Sequence, residues 1–91
     1  MAERTVTIGT GTGLHSRPAS VFVGAAAKTG IPVTIAVGDG APVNAASILS
    51  ILGLGVKFGD SVTVAAEGAQ ADEVVAALGD LLASDMDATD S

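Results

Sequence analysis

The 91-residue chain has no cysteine, no tryptophan and no tyrosine, only one histidine and only four basic residues. Without cysteine it can form no disulfide, no thiolate metal site and no cysteine nucleophile. One histidine is too few for an ordinary zinc site, which takes three or four N, S or O ligands. No metal and no cofactor are expected. With two phenylalanines as its whole aromatic complement, the core must come from aliphatic side chains, at roughly 25 cal/mol per Å² buried. Hydrophobic types still make up 48% of the chain, enough for one small core and too many for a disordered segment. No apolar run approaches the roughly 20 residues of a membrane span. The opening Met1-Ala2-Glu3-Arg4-Thr5 alternates like a strand and lacks the charged and apolar regions of a targeting peptide. These features predict a soluble, cytoplasmic chain, with one domain over residues 1–84 and an acidic tail over 85–91.

Charge is divided along the chain. Residues 1–58 carry Arg4, Arg17, Lys28 and Lys57 against Glu3 and Asp39, a net +2, whereas residues 59–91 carry eight acids and no base, so that the whole stands at −6. Four scattered bases do not make a nucleic-acid stripe, and the acidic half would repel phosphate backbones. No nucleic-acid partner is expected. The acidic half reads as a solvated helix face and a tail.

Three segments, Thr5-Val6-Thr7-Ile8, Val33-Thr34-Ile35 and Val62-Thr63-Val64, alternate β-branched apolar residues with threonine, the period of a strand wet on one face. Val6, Ile8, Val33, Ile35, Val37, Val62 and Val64 should point inward. Ala41-Pro42-Val43 suggests a fourth strand after a Gly38-Asp39-Gly40 turn. Pro42 places it at an edge or a strand end. Between the strands, residues 16–28 read as an Ala-rich helix with Pro18 in its first turn and Val21, Phe22 and Ala25 inward. Residues 47–53 read as a short apolar helix with Ser47 as a plausible N-cap. Residues 71–83 place Val74, Leu78, Leu81 and Leu82 on one stripe, with Asp72 and Glu73 at the positive helix start. The order β-α-β-β-α-β-α, with half-polar strands, predicts an α+β layered fold with helices on one face of the sheet.

The stretch from Gly9 to Ser20 leaves a strand, passes three glycines and enters a helix beside the only histidine, His15. The N–H groups of Ser16 and Arg17 stand at a helix start, where the macrodipole is positive and where a phosphate can be held. Pro18 donates nothing, so those two amides carry the role, and Arg17 adds a forked cation. An imidazole there could accept and release a phosphoryl group. A reference pKa of about 6.5 leaves much of it neutral and nucleophilic at pH 7. His15 could equally be an ordinary helix-start residue with Arg17 merely solvated. A dinucleotide fingerprint fails on spacing, because Ser16 occupies the third glycine position. Hydrolysis using Ser16 or Ser20 lacks an acid to orient the imidazole.

Gly13-Leu14-His15-Ser16-Arg17-Pro18-Ala19 resembles the active-site signature of the histidine-containing phosphocarrier (HPr) family of the bacterial phosphoenolpyruvate:sugar phosphotransferase system. The block from Asn44 to Gly55 resembles that family's regulatory-serine helix, and the likeness runs from about Thr5 to Leu82. It implies an open-faced β-sandwich, a four-stranded antiparallel sheet covered on one face by three helices. His15 would be phosphorylated on Nδ1 by enzyme I at the expense of phosphoenolpyruvate, and would pass the group to the A component of a sugar permease. Arg17 would pair with the moving phosphoryl group. Ser20, Ile48, Leu49 and Leu52 would dock partners, although the apolar residues of the short helix could instead all pack internally. Ser47 would match a serine modified by a kinase in part of the family. Here Ala46 replaces the lysine common before it, which favours the cap role. The chain would then be a monomeric, stoichiometric carrier without its own turnover and without membrane insertion. Two other readings stay open: a paralogue in a nitrogen-related or regulatory phosphorelay, and a protein-binding regulator that carries no phosphate.

Overall fold

Alternation in the strands sorts side chains between two faces, and this sorting builds the fold. The computed structural model describes residues 2–11, 13, 14 and 16–84. These form β1 (Ala2–Thr7), α1 (Ser16–Lys28), β2 (Val33–Val37), β3 (Val43–Asn44), α2 (Ile48–Gly53), β4 (Ser61–Ala66) and α3 (Ala71–Ala83). The strands make one antiparallel sheet in the order β1-β4-β2-β3, with Val6 opposite Val62 and Ile35 opposite Val64. Ile8, Val33, Ile35, Val62 and Val64 are buried as their alternation requires, and Val6 and Val37 are half-buried. On the opposite face the hydroxyls of Thr5 and Thr63 hydrogen-bond at 2.8 Å in an exposed position. This is the open-faced sandwich expected from the sequence.

α3 packs directly on β1 and β4, α2 meets the β3 edge, and α1 lies against both α2 and α3. Phe22 of α1, Ile51 of α2 and Leu82 of α3 are fully buried and join the sheet valines in one core. The helix faces differ in detail from the expectation. In α1, Phe22 points inward but Val21 is 43% exposed, because adjacent residues stand about 100° apart on a helix and cannot share one contact line. In α3 the buried line is Ala71, Val75, Leu78 and Leu82, with Val74 and Leu81 half-buried. The pairs Val74-Val75 and Leu81-Leu82 offer two nearly equivalent stripes, and contact with β1 and β4 selects the second.

The fourth strand starts two residues later than expected, ends one residue later and is two residues long. Val43 and Asn44 pair with Ile35 and Thr34, whereas Ala41 and Pro42 stand outside the ladder. Pro42 has no N–H to donate, so pairing starts after it. Ala45 N–H extends the contact by donating to Val33 O at 3.0 Å. Among the described residues, no helix is long and apolar enough to cross a membrane.

Candidate functional site

The segment joining β1 to α1 is held at both ends. At its start, Gly9 N–H donates to Leu82 O at 3.0 Å and the buried Thr10 hydroxyl donates to Ser84 O at 3.2 Å, so the C-terminal end of α3 grips it. A Cβ on Gly9 would overlap the carbonyl of Ala83. At its far end, Gly13 N–H closes a turn on Thr10 O at 2.9 Å, and Leu14 N–H donates to Val56 O at 3.0 Å. Gly13 has φ +76°, a conformation costly for other residues, and a Cβ there would overlap Val56 O and lie 2.8 Å from Lys57 Cα. Leu14 and Val56 are both buried. The loop is thus clamped between the end of α3 and the connection from α2 to β4.

α1 begins immediately after this loop, at Ser16. Helix geometry points the first-turn N–H groups, those of Ser16 and Arg17 among them, out of the N-terminal end where the macrodipole is positive. Arg17 is exposed in this turn, and Pro18 and Ala19 behind it are buried, which seats the helix start on the core. His15, on which the sequence reading centres, lies outside the described residues, as do residues 85–91 of the expected acidic tail.

α2 presents two faces. Ile51 is fully buried and Ile48 half-buried, whereas Leu49 is 79% and Leu52 39% exposed. A two-turn helix with four large apolar residues cannot turn all of them inward, so a surplus remains outside. Ser20 is exposed on α1. Ser47 caps α2: its hydroxyl oxygen accepts from Ser50 N–H at 3.3 Å, with extended backbone at Ser47 itself.

Two exposed apolar residues escaped the sequence reading. Val21 is expected inward from the helical pattern but stands outside. Phe58, 63% exposed in the turn before β4, carries no periodic signal because it belongs to no helix or strand. A groove of about 340 Å³ between the later part of α1 and α3 is lined by Ala25, Thr29, Glu73, Val74 and Leu81 among others, and shares no residue with the loop. Among the described residues, no group of His, Cys, Asp and Glu could hold a metal ion.

A family model described as "PTS HPr component phosphorylation site" matches residues 2–84. The chain is 60% identical over 73 residues to the phosphocarrier protein HPr of Streptomyces coelicolor, covering 78% of each chain. Among solved structures it is similar to HPr-C-His from Thermoanaerobacter tengcongensis, with TM-score 0.83 and 43% identity over 90% of this chain and 91% of that one. An HPr dimer from the same organism matches with TM-score 0.66 and 43% identity, covering 89% of this chain and 92% of that one.

Proposed function

The chain belongs to the HPr family of phosphocarrier proteins, and from that premise we propose that it relays a phosphoryl group between proteins of the phosphotransferase system. Enzyme I donates to His15, and the A component of a sugar permease accepts from it. The lone pair of the neutral His15 ring attacks phosphorus while the N–P bond to the donor histidine breaks. Its electron pair returns to the donor ring, which changes from phosphoimidazolium to neutral imidazole as His15 makes the opposite change. The same kind of bond is made and broken, so the exchange is close to balanced and reverses readily.

The observation that carries this reading is the exposed Arg17 in the first turn of α1, two residues after His15 in the sequence and directly behind the clamped loop. Its guanidinium and the amides of Ser16 and Arg17 supply donors for the charge on the transferring oxygens. A charge-assisted hydrogen bond is worth about 1.5–3 kcal/mol and the helix dipole about 0.3–1 kcal/mol. Such terms hold a phosphoryl group without trapping it. The exposure of Arg17 at the helix start also suits a group handed directly from one protein to another. Leu49 and Leu52, with Ile48 and Ser20, form the docking surface. Ser47 acts as a helix cap, and the carrier works as a cytoplasmic monomer without turnover of its own.

Incubation with enzyme I and phosphoenolpyruvate tests the proposal. Wild type should gain one acid-labile, base-stable phosphate per chain, and His15→Ala should gain none. A wild type that stays unlabelled would favour a purely protein-binding role.

A further inference from the structure

Phe58 lies in a turn whose shape does not depend on it. Lys57 N–H donates to the Asp60 carboxylate at 2.9 Å, and Asp60 N–H donates back to Lys57 O at 3.0 Å. The turn is tied to the end of β1 through Gly59 N–H to Ile8 O at 3.1 Å and Ile8 N–H to Asp60 O at 2.9 Å, with Gly59 at φ +87°. Asp60 and Gly59 therefore set the turn, while the Phe58 ring is 63% exposed. The other phenylalanine, Phe22, is fully buried. A backbone so well tied loses little conformational freedom when the ring it carries is covered, which leaves only the two side-chain torsions of Phe58 to be ordered.

Its position matters as much as its exposure. Lys57 Cα lies 2.8 Å from where a Gly13 Cβ would sit, which puts Phe58 Cα within about 8 Å of Gly13 Cα. A standard protein interface covers about 800 Å² per partner, a disc of about 16 Å radius. Direct transfer requires the donor to cover the loop that leads into α1, and a footprint of that size centred there reaches the Phe58 turn. Aromatic side chains are enriched in such footprints and concentrate binding energy.

We propose that Phe58 is a docking anchor for the protein that donates the phosphoryl group, seated in an apolar recess of that donor. The proposal rests on the relay reading above. With enzyme I catalytic and the carrier varied, Phe58→Ala should raise KM about tenfold, equivalent to about 1.4 kcal/mol, with kcat within twofold. Phe58→Leu should recover most of the loss, and both variants should melt with wild type. An unchanged KM in Phe58→Ala, or an effect on kcat alone, overturns the proposal while labelled wild type leaves the relay standing. An unlabelled wild type removes both. Loss of self-association in sedimentation, with KM unchanged, reassigns the ring to a second copy of this chain and also overturns it.

Discussion

The Leu14 N–H donates to the Val56 carbonyl at 3.0 Å, joining residues 42 positions apart, and Gly13 lets the two backbones meet. The contact ties the segment leading into α1 to the connection after α2. It thereby holds the start of α1 close to the connection that carries the Phe58 turn. Arg17 gains its place from this bond as much as from its own helix.

Gly13→Ala tests that clamp. The substitution would force a side chain into a left-handed backbone and into Val56 O, so stability should fall by at least about 1–3 kcal/mol. Urea denaturation measures it, and phosphoryl acceptance should decline in parallel. An unchanged midpoint would mean that the loop rearranges at little cost.

Arg17→Glu places an acid at an exposed position in the first turn of α1, where the helix dipole favours negative charge, so the fold should survive. Loss of one charge-assisted hydrogen bond in transfer, about 1.5–3 kcal/mol, corresponds to a rate lower by roughly 10–150-fold. Rapid-quench transfer from phosphorylated enzyme I supplies the rate. Wild-type kinetics in this variant would remove Arg17 from the mechanism.

Ser47→Ala removes the oxygen that accepts from Ser50 N–H and should cost about 0.5–2 kcal/mol. Ser47→Asp should retain most of the stability, since a carboxylate caps as well as a hydroxyl. Equal losses in both variants would show that packing around Ser47, not the cap, is what the alanine removes.

Phe22→Ala deletes the only buried aromatic ring among the described residues. A loss of about 3–5 kcal/mol is expected, a large fraction of the about 5–15 kcal/mol that holds a domain folded. Circular dichroism should show a melting temperature lower by well over 10 °C, given about 4–8 °C per kcal/mol at this size. A small shift would indicate that neighbouring alanines close over the cavity.

Much of the fold was legible in local chemistry. α1 and α3 occupy residues 16–28 and 71–83 as read, because Pro18 and the pair Gly30 and Pro32 bound the first, and the acids Asp72 and Glu73 mark the start of the second. α2 begins one residue later than read, at Ile48, with Ser47 serving as its cap. What local chemistry could not give was the facing of helices with apolar residues in adjacent positions. Val21, Phe22 and Val23 are consecutive, and only contact with the rest of the core decides that the ring goes in while Val21 stays outside. Of the site, the loop, Arg17 and the short helix were visible as residue types in order. Phe58 was not, since a lone apolar residue in a turn has no period to mark it.

The sequence by itself determined the strand faces, the bounds of α1 and α3, the cap at Ser47 and the order in which glycines, a histidine and an arginine follow one another along the chain, because each depends on residues within a turn or two of one another. The tertiary structure decided the strand order β1-β4-β2-β3, the burial of Val75 over Val74, and the clamping of the loop between Leu82, Ser84 and Val56. Those outcomes depend on which surfaces are left to pair once every element competes for the same core, and no local pattern encodes the result of that competition.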